Sequence, residues 1–403
     1  MATDSTRSSK PLNNGERLPS ELKEEIFSRL TVKDILRSRC VCKPWKTLID
    51  SHGFKKKHFE AEKRSHSSLF IWRKSFSFEP TLHFFFPPFH NVSPSLALNL
   101  GQFLDDSVFD SSDVMISSSG GVDNLDFKKF GVVNGLVCLG WNYFHVVWNP
   151  STKEFRRFDG PKKNWGFDLL DNCGISDDVL LSDQICAFGL DPISQDFKFL
   201  IAHFTLSVTK NEKSKNKVLF QIYSMRNNGW RGVVCDFPFV NKVITGDGFM
   251  DDGKFYWFVK ECGEKMENGS LNPAVICFDF CNEVFKVISL PVELTRGEDA
   301  IAVANRGVVE IIMSFDDGLR SQVWVMENGG SWSRTLNVNF PCEVGRPIGV
   351  LKDGDIMFEN PSKVDGVKEL VFINPATGLS KKLGFNGTEL WMFNYVQSLF
   401  SAK

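Results

Sequence analysis

One local pattern recurs along most of this chain and restricts its architecture more than any other feature. An apolar run ends near an Asn or Asp, often followed by Pro. A few small or polar residues follow, and a second run then opens on an aromatic or apolar residue. The pattern reads Val147-Trp148-Asn149-Pro150-Ser151-Thr152-Lys153-Glu154-Phe155 and, further on, Phe188-Gly189-Leu190-Asp191-Pro192-Ile193-Ser194-Gln195-Asp196-Phe197. Looser copies run Ile222 to Trp230, Cys277 to Phe285, Val323 to Trp332 and Phe372 to Leu379. The Asn or Asp accepts a local hydrogen bond, Pro sets φ at the next position, and Gly, Asn or a polar residue closes the turn. Each copy is therefore a strand–turn–strand unit. Counted from the Asn or its equivalent, copies start at 149, 191, 223, 279, 325 and 374, so successive gaps are 42, 32, 56, 46 and 49 residues. These gaps are irregular but centre near the length of a four-stranded propeller blade. The pattern predicts a β-propeller, or an open relative of one, over residues 67–401. The strands Leu69–Trp72 and Thr81–Phe86 are available to begin or close a further blade. A pair of β-sandwiches is the competing architecture.

Ahead of that region the texture differs. Residues 1–16 are polar and read as a disordered tail, and residues 17–64 read as a small helical module with an exit helix. Ser20 is placed as an N-cap, with Leu22, Ile26 and Leu30 following as one apolar stripe at i, i+4 and i+8. Thr31 with Asp34 three residues later resembles a capping box and starts a second helix carrying Ile35 and Leu36. Pro44 is tolerated only in a first helical turn, so a third helix begins near Val41 or Cys42 and presents Trp45, Leu48 and Ile49. Helices this short are not stable alone, because nucleation is costly. Residues 18–49 are also too few to bury a sufficient core, so the unit needs a partner. Gly53–Arg64 reads as a charged helix leaving the module, with His52, His58 and His66 expected in solvent.

The ungapped string from Leu18-Pro19-Ser20-Glu21 through Lys33-Asp34-Ile35-Leu36 to Val41-Cys42-Lys43-Pro44-Trp45 resembles an F-box, the motif by which substrate receptors dock on the Skp-type adaptor of cullin-RING ubiquitin ligases. Two positions depart from the common plant pattern: Thr31 stands where Pro is usual and Ser38 where Phe is usual. Thr31 still caps, whereas Ser38 removes an apolar contact. Residues 130–400 resemble the kelch-like F-box-associated domain of plant F-box proteins. The resemblance is carried by Val133-Asn134-Gly135-Leu136-Val137-Cys138-Leu139, Trp148 to Lys153, Ile222-Tyr223-Ser224 and Tyr395-Val396-Gln397-Ser398-Leu399. The acidic, Ser-rich stretch Asp105 to Asp126 departs from it, and the glycine doublets of true kelch repeats are mostly absent. The resemblance implies a mainly β fold with a three-helix F-box followed by a propeller-like domain. It also implies the role of substrate-recognition subunit in an SCF-type ubiquitin ligase. The adaptor-binding residues it implies are Leu18, Pro19, Ile26, Leu30, Ile35, Leu36, Val41, Cys42 and Trp45, with Trp45 as the anchor. The implied partners are the Skp-type adaptor, cullin through it, and a target protein held by the propeller.

The residues themselves point to binding rather than chemistry. Seven histidines form no pair at ligand spacing. Cys40 with Cys42, and Cys277 with Cys281, lack the second pair a zinc site needs, and the latter two are placed in the core. No phosphate-cradling loop and no G-x-S-x-G elbow occurs. The expectation is a non-catalytic chain with no cofactor and no metal. A net charge of −2 gives no bulk reason to expect nucleic acid or an anionic membrane, although residues 1–64 carry 15 Lys/Arg against 9 Asp/Glu. No apolar run approaches the roughly 20 residues of a spanning helix. The first residues lack the apolar core of a secretory signal, and ten cysteines lie scattered from Cys40 to Cys342. Free thiols in the cytoplasm or nucleus are therefore expected. Binding falls to loops on a rigid frame. The candidates are Asp105–Asp126, Gly160–Asp183 with Trp165 and Phe167, Ser207–Lys217 with Lys210 and Lys213, and Lys260–Pro273. A propeller that binds a small ligand or glycan, its F-box incidental or regulatory, is the alternative function.

Overall fold

The computed structural model describes residues 18–65, 68–74, 81–85, 96–99, 128–140, 144–161, 179–207, 217–233, 242–244, 248–261, 274–296, 299–305, 308–316, 318–327, 330–340, 343–351, 354–362 and 366–403. Four helices come first among them: α1 (Ser20–Ser28), α2 (Val32–Ser38), α3 (Lys43–Asp50) and α4 (His52–Ser65). Thr31 caps α2 as its spacing predicts. Its hydroxyl oxygen accepts from the Asp34 N–H at 3.3 Å, while its proton goes to the Asp34 carboxylate at 2.8 Å. Pro44 sits in the first turn of α3, where its missing N–H has no intrahelical bond to lose. Ser20 is not the cap of α1: Pro19 occupies that position, and no side chain closes the helix end.

α4 also departs from expectation. It is charged along one side only and buries Phe54, His58 and Phe59 on the other. His58 is fully buried, and its Nε2 lies 2.8 Å from the Leu30 carbonyl oxygen, so that nitrogen carries the proton and donates. Carbonyls just past a helix end lack an intrahelical donor, and burial would leave this one unsatisfied without the imidazole. Phe27, Val32, Ile35, Ile49 and Phe54 form the core of the helical module.

Most of the remaining described residues form six antiparallel sheets. The first holds β1 (Ser68–Lys74), β2 (Thr81–Phe85) and β3 (Leu96–Asn99), joined by the last strand of the chain, β25 (Glu389–Tyr395). The second is β4 (Lys128–Val133), β5 (Leu136–Gly140), β6 (Phe144–Asn149) and β7 (Glu154–Asp159). The third is β8 (Val179–Leu190), β9 (Phe197–Ser207), β10 (Lys217–Ser224) and β11 (Gly229–Val233). In the fourth, β12 (Lys242–Ile244) and β13 (Phe249–Asp251) pair with opposite ends of β14 (Lys254–Glu261), followed by β15 (Ala274–Asp279) and β16 (Val284–Ser289). The fifth is β17 (Asp299–Asn305), β18 (Val308–Phe315), β19 (Arg320–Met326) and β20 (Trp332–Asn339). The sixth is β21 (Arg346–Val350), β22 (Ile356–Pro361), β23 (Lys368–Ile373) and β24 (Ser380–Gly387).

These sheets are the blades of a propeller. Neighbouring blades touch in turn, β4 on β8, β8 on β14, β14 on β17, β17 on β21, β21 on β25 and β25 on β4, which closes the ring. β1 and β25 pair from Ser68↔Tyr395 to Lys74↔Glu389, so an early strand and the last strand complete one blade together. Because side chains alternate across a strand, a strand between two neighbouring blades feeds two cores. In β9, Phe199 and Ile201 face the second blade, and Leu200 and Ala202 face the fourth. Strands buried on both sides, such as β5 and β15, read as unbroken apolar runs, whereas the outermost β16 alternates with solvent.

Four of the six copies share one turn geometry. At Asn149, Asp191, Asp279 and Asn374 the side-chain Oδ1 accepts the N–H groups two and three residues on. The fifth residue (Lys153, Gln195, Glu283 or Gly378) is left-handed, with φ between 55° and 69°. Five of the six sequence copies join the third and fourth strands of one blade each, from the second blade to the sixth. The sixth is a correction: Asp191 joins the first and second strands of the third blade, which already owns the copy at 223–228. That extra use of the same turn accounts for the short gap in the sequence spacing. Trp230 and Trp332 close their copies and fasten blade to blade, since their indole N–H groups donate to the Asp159 and Ser289 carbonyls at 2.8 and 3.1 Å.

Candidate docking surface on the helical module

α1 buries Phe27 and Ser28 and turns its other side outward. Leu22 and Ile26, one turn apart, are 52% and 50% exposed, and Leu18 continues the line at 46%. Val41, at the entry to α3, is 64% exposed, and Pro19 and the N-cap Cys42 are exposed as well. Large apolar side chains so placed cost hydration free energy in an isolated molecule and form a candidate docking surface. Much of the surrounding charge is internally matched. Arg29 pairs with Glu25 at 2.8 Å, Arg37 with Asp34 at 3.3 Å, and Arg39 makes a two-pronged contact with Asp50 at 2.6 and 3.1 Å. The Arg29 side chain holds the Glu25 carboxyl below its ordinary range, and Arg39 does the same for Asp50. Lys43 and Lys46 flank Trp45 on exposed positions of α3.

The residues singled out from sequence divide into three groups. Leu18, Pro19, Ile26, Val41 and Cys42 lie open to solvent, while Leu30, Leu36 and Trp45 are half-buried against the module's own core. Ile35 corrects the sequence reading: it is fully buried beneath α2 and offers no surface to a partner. Leu22, absent from the implied contacts, lies on the same exposed stripe, and its i+4 spacing to Ile26 and from Leu18 is the sequence signal for it. Trp165, Phe167, Lys210 and Lys213 lie outside the described residues.

The anchors of the long candidate loops are nonetheless placed by the strands that flank them. The tight turns at 134–135, 149–153, 191–195 and 252–253 occupy one end of their blades, the end at which Phe197 meets Phe59 of α4 through Phe400. β9 ends at Ser207 and β10 begins at Lys217, and β14 ends at Glu261 and β15 begins at Ala274. In an antiparallel blade those junctions are at the other end, away from the helices.

The two pairs of cysteines separate in the same way. Cys40 and Cys42 are exposed, Cys138 and Cys277 are buried, and Cys281 stands half-exposed in its turn rather than in the core; all of these are free thiols. Burial pushes the Cys277 thiol up to about 11 and that of Cys138 up as well, which keeps both protonated. Among the described residues no cluster of three His, Cys, Asp or Glu could hold a metal ion, and no helix is long and apolar enough to cross a membrane.

Comparison with known proteins agrees with this architecture. The model of the F-box associated beta propeller domain matches residues 81–399, and that of the F-box domain matches residues 16–57. An F-box/kelch-repeat protein of Arabidopsis thaliana is 26% identical over 352 residues, covering 83% of this chain and 82% of the relative. A putative F-box protein of the same plant is 24% identical over 379 residues, covering 89% of this chain and 86% of the relative. Among solved structures, the lectin of Aleuria aurantia aligns with 80% of this chain and 96% of its own at 11% identity, with a TM-score of 0.36, too low to carry an argument.

Proposed function

This chain belongs to the plant F-box proteins that carry an F-box associated β-propeller, and on that premise we propose that it is the substrate-recognition subunit of an SCF-type cullin-RING ubiquitin ligase. The observation that carries the reading is the exposed apolar line Leu18, Leu22 and Ile26 beside Val41, on a module whose remaining apolar residues are packed inward. A helix face of this kind docks in an apolar groove, here that of a Skp-type adaptor, through which cullin is recruited. The chain itself supplies no chemistry in this role. It holds a target near the conjugating enzyme, and the rate gain comes from proximity. The blade ends opposite the helices, where the long loops are anchored, face the target. Exposed free thiols at Cys40 and Cys42 suit a reducing cytoplasm or nucleus.

The experiment is co-purification with a Skp-type adaptor, wild type beside Ile26→Asp/Val41→Asp. Both positions are exposed, so the substitutions leave the fold intact. Retention by the wild type and loss in the variant supports the reading. A folded wild type that captures no adaptor overturns it and leaves the propeller to be studied as a ligand-binding protein.

A further inference from the structure

Residues 396–403 follow β25 without forming a helix or strand, yet Ser398, Leu399, Phe400 and Ala402 are all buried. Leu399 and Phe400 are consecutive and enter different cores. Leu399 packs with Phe27, Val32, Ile35, Ile49 and Phe54 of the helical module. Phe400 packs in the core between the second and third blades, with its ring 6.2 Å from Phe197. It also meets Phe59 of α4 edge-on at 5.9 Å and His52 at 6.0 Å.

The second blade is shaped to receive this segment. Asn149 Nδ2 donates to the carbonyls of Ser398 at 3.0 Å and Phe400 at 2.7 Å, while its Oδ1 closes its own turn. Ser151 Oγ bonds the Tyr395 hydroxyl at 2.7 Å and accepts from the Ser398 N–H at 3.4 Å, and Ser401 Oγ donates to Glu154 at 2.8 Å. At Gly135 a Cβ would sit 2.3 Å from Ser398 Cβ, so only glycine leaves room. The strings 133–139, 148–153 and 395–399, singled out separately in the sequence, thus belong to one contact.

We propose that residues 396–403 are a strap that holds the docking helices in one orientation on the propeller, with Leu399 and Phe400 as its positioning residues. This rests on the docking reading and deepens it: the ligase would present a bound target at a set distance and angle from the adaptor. Interfaces between domains of one chain are mobile by default unless they are substantially apolar, and here two side chains of one short segment supply much of that apolar contact from either side.

The test is a pulsed electron-spin distance measurement on the full chain. Spin labels are carried on noncanonical residues at exposed Lys33 in α2 and Lys381 in β24, so the native cysteines are untouched. The wild type gives one narrow distance distribution. Leu399→Ser/Phe400→Ala broadens it at least twofold, Leu399→Met keeps the wild-type width, and Asn149→Ala gives an intermediate width. If the double variant fails to fold, Asn149→Ala, which leaves both apolar side chains in place, decides alone. A folded variant with wild-type width overturns the strap, since loss of a merely structural contact would lower the melting temperature without widening the distribution. Adaptor capture is measured on the same samples. Capture by the broadened variant supports a positioning role, whereas a narrow wild type that captures no adaptor overturns the docking reading and not the strap.

Discussion

Trp45 packs edge-on against Phe27, with ring centroids 4.9 Å apart and planes at 74°. The indole therefore serves the core of its own module, while Ile26, the residue before Phe27, turns outward. Neighbouring positions on a helix lie about 100° apart, so one step along α1 separates a core position from an exposed one. Trp45→Ala is expected to lower stability by about 2 kcal/mol, less than for a fully buried aromatic residue. Ile26→Asp is expected to leave the melting temperature unchanged and to weaken adaptor binding more than tenfold, as truncation at an interface centre does. Melting curves beside binding isotherms separate the two, and a shared loss of stability would contradict the division.

His58 gives a second test. His58→Phe keeps an aromatic ring but removes the donor to the Leu30 carbonyl. An unsatisfied buried carbonyl costs about 1–3 kcal/mol, which urea denaturation would register. A neutral result would mean that the carbonyl finds another donor.

At the seam of the third and fourth blades, Lys198 Nζ reaches Asp191 at 2.9 Å, Glu283 at 3.0 Å and the Phe280 carbonyl at 3.1 Å, while Arg231 also pairs with Glu283. Burial works against all these charges, but the hydrogen bonds outweigh it. Asp191 and Glu283 are held below the usual carboxylate range and Lys198 above its ordinary value. Lowered acids stabilise the fold above their unfolded values near pH 4, and that contribution is lost as pH falls. The raised Lys198 contributes fully below its unfolded value near pH 10.4 and stops contributing as pH rises through its folded one. The contribution of this cluster to stability should therefore be flat from about pH 5 to 10 and fall on both sides. Lys198→Met should cost about 3 kcal/mol at pH 7 and flatten the acid limb, because it leaves Asp191 without its cation. Denaturant midpoints across pH check both.

Two left-handed glycines separate backbone strain from collision. Gly135 and Gly378 have φ of 74° and 69°, but a Cβ at Gly378 would meet nothing within 4 Å. Gly378→Ala should cost about 1 kcal/mol, the strain of a side chain at positive φ. Gly135→Ala should cost at least about 2 kcal/mol more, since it also drives residues 396–398 off their seat. Equal losses would mean that the segment shifts freely.

What was legible in the sequence is what acts within a few residues. The Asn149, Asp191, Asp279 and Asn374 turns, the Thr31 cap and the placement of Pro44 depend on a side chain and the backbone beside it, so composition and spacing reveal them. Unbroken apolar runs such as Leu136–Gly140 declared strands buried on both sides, and with the repeat they were enough for the propeller. The assignments that failed depend on what lies across the fold. Ile35 and Ile26 are the same residue type at matching helical spacings, and only the packing of α2 and α3 sends one inward and the other out. His58 lies in a lysine-rich stretch, and only the arrival of α1 makes it a buried donor. Asp191 repeats the turn of Asn149, but strand pairing alone shows that it joins a different pair of strands. The union of 134–154 with 395–400 spans some 250 residues between Asn149 and Phe400. Such a contact leaves no periodicity in the chain, and it exists only because ring closure brings the last strand back beside the second blade.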